Sequence, residues 1–131
     1  MEIKIKQEIS REFLENIFVT AFEGGSNYWY HLGRDAINIV RSHFSKEDEM
    51  YLAVAIFKSV YDKGAMVPVR DAENEDDVIG YLSKETFNYR LQKMVDDNYG
   101  DVIMSEINEE GDAGTSDMVF QYLVLGEIVY G

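Results

Sequence analysis

Residues 18–35 read Phe-Val-Thr-Ala-Phe-Glu-Gly-Gly-Ser-Asn-Tyr-Trp-Tyr-His-Leu-Gly-Arg-Asp and hold the single tryptophan of the chain. Upstream of them, Ser10 stands at the position of a helix N-cap, and apolar residues follow at helical spacing: Phe13, Leu14, Ile17, Phe18 and Ala21. Adjacent glycines end such a helix readily, because glycine adopts the left-handed conformation of a C-terminal cap. The sequence therefore predicts a helix that begins after Ser10, buries this face and stops at Gly24 and Gly25. For residues 26–32 the sequence allows either a strand or the start of a new helix.

Length and composition predict a single domain over residues 1–131 with a core of its own. A chain of 131 residues buries roughly two-thirds of its unfolded surface, and 46% of the residues are apolar. The chain has no cysteine, which excludes disulfides, thiolate zinc sites and cysteine nucleophiles and fits a reducing cytoplasm. We expect the chain to fold alone or as a homo-oligomer.

The charge of the chain is strongly negative, with 25 acidic and 12 basic residues and a formal net charge of −13. This balance argues against duplex DNA and anionic membranes as partners, because binding to phosphate needs clustered Lys and Arg. The N-terminus lacks the apolar core of a signal peptide, and no apolar run approaches the roughly 20 residues of a membrane span. A charged partner would be basic, although an acidic surface also serves solubility alone.

Apolar periodicity outside residues 18–35 predicts both helices and strands. Alternation predicts a strand over residues 2–9, and spacings of three and four favour a helix over residues 35–44. Ser45 followed by acidic residues predicts a capped helix that continues through Leu52 and Val60 and closes at Lys63 and Gly64. Residues 65–69 read as a strand, with a proline that belongs at a sheet edge or strand end.

The C-terminal half repeats this mixture of elements. Ser83 predicts a capped helix that buries Val95 and stops at Gly100, and residues 102–107 alternate weakly as a strand does. Residues 115–117 offer several caps for a last helix that ends near Gly126, before a short strand over residues 127–130 that docks on the fold. The pattern predicts an α+β domain, with four or five helices packed on a small, mostly antiparallel sheet.

The first candidate site follows the predicted helix stop. Its glycines allow a ligand to approach backbone amides, and its aromatic rings allow stacking or serve as anchors for a partner; its members are Glu23, Gly24, Gly25, Asn27, Tyr28, Trp29 and Tyr30. The segment has no lysine and no phosphate-loop spacing. The competing interpretation is a helix stop followed by aromatics that fill the core, which the usual burial of large aromatic residues favours.

The second candidate site is an acidic segment at residues 71–77. It is too charged to pack and is expected as an exposed loop whose carboxylates steer a basic partner, namely Asp71, Glu73, Glu75, Asp76 and Asp77. The competing interpretation is a solvated loop without a binding role.

Neither catalysis nor metal binding has a recognisable motif in the chain. His31 and His43 lie twelve positions apart, which matches no short zinc motif. The acids around Asp112 and Asp117 lack the ligand order of an EF-hand. We therefore predict no catalytic residue, no metal site and no cofactor, while a small enzyme that uses Glu23, His31 or Asp117 stays open as an alternative.

Two segments carry a resemblance. Glu-Gly-Gly-Ser-Asn-Tyr-Trp at residues 23–29, with Asp117, Gln121 and Leu-Gly-Glu-Ile-Val-Tyr-Gly at residues 125–131, resembles a set of short, uncharacterised proteins encoded by bacteriophages and prophages. The match covers both ends and little of the middle. It implies a phage or mobile-element setting in the cytoplasm of a bacterial host, and small acidic phage proteins often inhibit host machinery, including CRISPR and other defence systems.

Charge and resemblance together lead to one expected function. They also leave one alternative in addition to the small enzyme named above. The expected function is an inhibitor that binds a bacterial host protein with a basic surface through the acidic segment, with Tyr28, Trp29 and Tyr30 as aromatic anchors. The alternative is a small-molecule binder, such as a sponge for a nucleotide immune signal. We also expect the two segments of the resemblance to meet in space.

Overall fold

The helix at the centre of the molecule is apolar on nearly all sides. Helix α6 (Ala113–Leu125) buries every residue from 116 to 124 except Met118, which is half-buried. A helix that is apolar on nearly all sides packs inside a protein, and other elements surround α6 accordingly. The structure is a computed structural model that describes residues 1–3 and 6–131.

Five more α-helices are present in the described ranges: α1 (Arg11–Thr20), α2 (Arg34–His43), α3 (Leu52–Tyr61), α4 (Lys84–Met94) and α5 (Gly100–Ile107). Helices α1, α4 and α5 pack directly on α6, whereas α3 packs on α1 and α2. Because α4 runs into α5 through a kinked turn, the helices form five continuous stretches. In the described part of the chain, no helix has both the length and the apolar character needed to cross a bilayer.

An antiparallel sheet of three strands packs against α6 and α2. Strands β1 (Tyr30–His31), β2 (Val67–Asp71) and β3 (Val78–Leu82) lie in the order β1-β2-β3. Pro68 lies in the central strand, although the sequence predicts an edge or strand end for it. Strand β1 pairs only with Arg70 and Asp71 of β2, so on the β1 side no strand lies beside Pro68. Because proline has no backbone N–H, this open side is where it can lie in β2 without the loss of a hydrogen bond between strands. The α+β fold with a small antiparallel sheet is confirmed.

The helix before the glycines follows its prediction closely. The Ser10 hydroxyl accepts a hydrogen bond of 3.0 Å from the Phe13 amide, which caps α1. All the residues predicted to face the core are buried. The chain continues in a wider turn over residues 21–25 and leaves the helix at Gly24, whose φ is 125°. The helix predicted over residues 35–44 is also present as α2.

Two predictions in the first half are wrong. Of the strand predicted over residues 2–9, Lys4 and Ile5 lie outside the described residues, and the described remainder forms no strand. Ser45 caps a single 3₁₀ turn, not α3. Glu49 then takes a left-handed backbone conformation, with φ 43°, so the chain turns before α3 starts at Leu52.

Three more predictions fail at the end of α4. Gly100 does not stop the helix but begins α5, and the residues predicted as a strand over 102–107 lie in that helix. The reversal occurs two residues earlier, at Asn98, whose φ is 73°. Asparagine tolerates this left-handed conformation better than most residues. Val95, predicted as buried, is exposed at the kink.

The start of α6 also differs from its prediction. Asp112 is the N-cap, since its carboxylate accepts from the Thr115 amide at 2.9 Å and its own amide donates to the Thr115 hydroxyl at 2.8 Å. Asp117, predicted among the caps, lies one turn inside the helix and is buried. The helix ends at Gly126, as predicted, with a left-handed φ of 78°. Residues 127–131 follow as an irregular tail, not as the predicted strand.

Candidate functional site

The two segments of the resemblance meet at the carboxylate of Asp117. Its Oδ1 accepts a hydrogen bond of 2.8 Å from Trp29 Nε1, and its Oδ2 accepts one of 2.5 Å from the Tyr28 hydroxyl. Gln121, one turn further along α6, donates from Nε2 to the same Oδ2 at 3.0 Å. Three donors from two distant parts of the chain therefore hold one carboxylate.

Gln121 also fixes the C-terminal tail. Its Oε1 accepts from the amides of Val129 and Tyr130, each at 2.9 Å, and its Nε2 donates to the Tyr130 carbonyl at 2.9 Å. The Tyr130 ring stacks on the Trp29 indole, with centroids 5.3 Å apart and planes 10° from parallel. The prediction that the tail docks on the fold is confirmed, and its contact with the residues around Trp29 is direct.

The structure also joins the two predicted sites. The Trp29 carbonyl accepts from the Ala72 amide at 3.0 Å, and Tyr30 pairs with Asp71 where β1 meets β2. The aromatic segment therefore lies directly beside the acidic segment, although the two are distant in the sequence. Burial raises the pKa of the Tyr130 phenol, and negative charge on Asp71 and Glu73 raises this pKa further.

We call residues 71–77 the acidic loop, which connects β2 to β3. Arg70 holds its backbone, because its guanidinium donates to the carbonyls of Glu75 and Asp76 and also to the Asp35 carboxylate at 2.7 Å. The Asp71 carboxylate accepts from the Glu73 amide at 2.7 Å, which closes the first turn. The hydrogen bond from Arg70 holds the pKa of the Asp35 carboxyl below its usual value. The loop is exposed, as predicted, and its backbone is well fixed.

The carboxylates of the acidic loop differ in their surroundings. Asp71 is half-buried and serves the loop backbone, whereas Glu73, Glu75, Asp76 and Asp77 are exposed. Asp77 accepts from the Asn74 side chain at 3.0 Å, and Glu75 Oε1 lies 3.8 Å from His31 Nε2. The exposed carboxylates therefore face solvent on one short hairpin connection.

The aromatic residues of the first predicted site do not act together at the surface. Trp29 and Tyr30 are only 2% and 8% exposed, so the prediction that both serve as anchors for a partner is wrong. Their rings pack against Phe120 in the core, as the competing interpretation predicts. Tyr28 alone of the three is open, with 52% of its surface exposed.

The glycines of this segment have a backbone role. Gly24 has a positive φ that other residues rarely adopt, and a Cβ on Gly25 would lie 2.9 Å from the Thr20 carbonyl oxygen. Both glycines therefore end the helix. Glu23 and Asn27 line a separate open cleft of about 400 Å³ beside His31.

A second cleft lies directly over Asp117, and we call it the tyrosine cleft. It measures about 520 Å³, and Tyr28, Tyr99 and Tyr130 line it together with Gly24 and Gly25 and the tail. Asp117, 6% exposed, is its charged residue, and no Lys, Arg or His lines it. Burial of the Tyr28 hydroxyl, and then its hydrogen bond to Asp117, raise the pKa of Tyr28 to about 12.

Asp117 and Gln121 are the residues whose roles the sequence interpretation missed. They lie four positions apart in an otherwise apolar helix, so they face the same side of α6. Buried polar groups need hydrogen-bond partners, and such a pair predicts a buried network. Within residues 1–3 and 6–131, no group of three or more acidic or histidine side chains is placed to hold a metal ion.

Comparison of the chain with models of known protein families, with curated proteins and with solved structures found no match.

Proposed function

We propose that this protein is a non-catalytic inhibitor that binds a basic surface of a bacterial host protein through the acidic loop. The observation that carries the proposal is a loop with a fixed backbone and exposed carboxylates. The Arg70 side chain donates to the loop carbonyls of Glu75 and Asp76. The exposed carboxylates are those of Glu73, Glu75, Asp76 and Asp77. A loop that is already ordered loses less conformational freedom on binding than a flexible one.

Charge supports the same partner class. A net charge of −13 attracts a basic protein over long range, and the exposed carboxylates concentrate that attraction at one place. Electrostatic complementarity of this kind raises the rate of association and rejects acidic partners. The resemblance to phage and prophage proteins supports a bacterial host protein, such as a defence component, as the target.

Tyr28 supplies an aromatic contact next to the acidic loop. It precedes Trp29, whose carbonyl binds Ala72 of the loop, and it exposes 52% of its surface. Tyrosine is enriched among the residues that dominate binding energy at interfaces. The proposed binding surface therefore combines Tyr28 with the exposed carboxylates.

The experiment captures partners from a bacterial lysate with the purified chain and identifies co-purifying proteins and released small molecules by mass spectrometry. We expect one stoichiometric basic protein whose affinity falls by at least tenfold between about 50 and 200 mM salt. A salt-independent partner would contradict the charge mechanism. A released nucleotide and no protein would support the nucleotide sponge instead.

A matched pair of variants locates the surface. The first variant carries Glu73→Gln, Glu75→Gln and Asp76→Asn in the acidic loop. The second variant removes the same number of negative charges from exposed acidic residues around a different cleft, with Glu8→Gln, Glu12→Gln and Glu109→Gln. We expect only the first variant to slow association with the captured protein, by tenfold or more, and equal effects would show that net charge alone is responsible.

A further inference from the structure

We propose that the tyrosine cleft binds the ammonium group of a lysine side chain from the partner protein. This inference rests on the proposed function only for the source of the lysine. The cleft itself combines the charge on Asp117, three tyrosines and a lining without Lys, Arg or His.

The charge on Asp117 has no cationic partner among the described residues. The donors that reach its carboxylate, from Tyr28, Trp29 and Gln121, are all neutral groups. No salt bridge among the described residues includes Asp117. A carboxylate that is 6% exposed and lacks a counter-ion favours a cation in the cleft that it lines.

The walls of the cleft suit the same ligand. The faces of tyrosine rings carry negative electrostatic potential and attract ammonium groups within about 6 Å. Tyr28, Tyr99 and Tyr130 all line the cleft, and Asp71 and Glu73 add negative charge near Tyr130. A phosphate or carboxylate would meet no positive side chain there.

The cleft has room for a lysine side chain. A volume of about 520 Å³ holds an extended lysine side chain, with room for its alkyl part against Met118 and Ile128. Because Trp29 donates to Asp117 and stacks on Tyr130, the bound ammonium group would lie close to the indole.

The single tryptophan gives a direct test by NMR. Its indole N–H produces one signal, so the ¹⁵N-labelled chain is titrated with Nα-acetyl-lysine methylamide and, separately, with the same compound acetylated at Nε. We expect the indole signal to shift and saturate with the charged compound and to stay in place with the neutral one. No saturation with the charged compound, or equal shifts with both, would overturn the proposal.

Variants of the exposed tyrosine make the test specific. Tyr28→Leu removes an aromatic face, so we expect binding of the charged compound to weaken by about fivefold or more. Tyr28→Phe keeps the face, and we expect its affinity within about twofold of the original. Tyr51→Leu, at an 81% exposed tyrosine outside the cleft, should change nothing. Unchanged affinity in Tyr28→Leu, checked as folded by its own spectrum, would overturn the proposal.

The outcome is separable from that of the proposed function. Binding of the lysine compound to the cleft, without capture of any basic protein, would uphold the cleft and reject the inhibitor. Capture of a basic protein by the acidic loop, with no binding of the compound, would uphold the inhibitor and reject the cleft.

Discussion

Asp117 Oδ1 accepts a hydrogen bond of 2.8 Å from Trp29 Nε1, and the two residues lie 88 positions apart in the chain. This contact ties the start of the sheet to the central helix α6. A hydrogen bond to a charged group in the interior is among the stronger ones, because leaving the charge without a donor costs its desolvation.

Trp29→Phe tests this bond. Phenylalanine keeps an aromatic ring in the core but has no N–H for Asp117, so we expect the free energy of unfolding to fall by about 2–4 kcal/mol, measured by urea denaturation. Tyr30→Phe is the control, since its hydroxyl donates only to the Ala21 carbonyl at 3.3 Å and its loss should cost about 1 kcal/mol. A smaller loss for Trp29→Phe than for Tyr30→Phe would contradict the assignment.

Gln121→Glu tests the connection between α6 and the tail. Glutamate keeps the acceptor for the Val129 and Tyr130 amides but loses the donor to Asp117 and to the Tyr130 carbonyl, and it places a second negative charge beside the Asp117 carboxylate. We expect a loss of about 3 kcal/mol or more in the free energy of unfolding at neutral pH. Hydrogen exchange of the Val129 and Tyr130 amides should become faster.

The pH dependence of the same variant provides its internal check. The neighbouring charge raises the pKa that the introduced glutamate has in the folded state, so the folded protein takes up a proton more readily than the unfolded chain. Acidification from pH 7 to about 4 should therefore recover part of the loss. An equal deficit at both pH values would show that charge repulsion is not the cause.

Gly80→Ala tests the packing of β3 on α6. A Cβ at Gly80 would lie 2.5 Å from the Val124 carbonyl oxygen and 2.8 Å from its Cγ1, so we expect a loss of about 1–3 kcal/mol in the free energy of unfolding. The matched substitution Gly100→Ala adds a methyl group at ordinary contact distance, 3.6 Å from Val95, and should be neutral or stabilising. Thermal denaturation of both variants gives the comparison, and equal losses would contradict the close approach.

Tyr28→Phe tests the hydroxyl over Asp117 at alkaline pH. The pKa of Tyr28 is raised from 10.0 to about 12 in the folded protein, so its contribution to stability is complete below pH 10 and is lost as the pH rises to about 12. We expect the free energy of unfolding of the variant to fall less over this interval than that of the original chain. Tyr89→Phe, which removes one exposed phenol from α4, is the control.

Local signals in the sequence were sufficient for much of the fold. The sequence predicted the start of α1 from Ser10 and the apolar spacing that follows it, and the end of α6 from Gly126. Both predictions are confirmed, because caps and helix faces depend on neighbouring residues. The turn at Asn98 was missed, since a left-handed asparagine leaves no clear mark while the following Gly100 imitates a helix stop.

The candidate site was predictable only in part, because it depends on contacts between segments that are distant in the sequence. The acidic loop was predicted from its charge alone, and it is exposed. Trp29 was kept as a candidate for a surface site beside the interpretation as a core residue, and Asp117 was assigned to a cap, because each looks polar or functional beside its own neighbours. Their burial results from a contact between distant segments, which periodicity within either segment does not report.

The position of the tail has a practical consequence for partner capture. Gln121 fixes Val129 and Tyr130, and Gly131 lies at the tyrosine cleft. A purification tag fused after Gly131 would therefore emerge at the proposed lysine site and would compete with the partner there. Met1 is fully exposed and is not among the residues that line the cleft, so an affinity handle is better placed at that end for the experiments above.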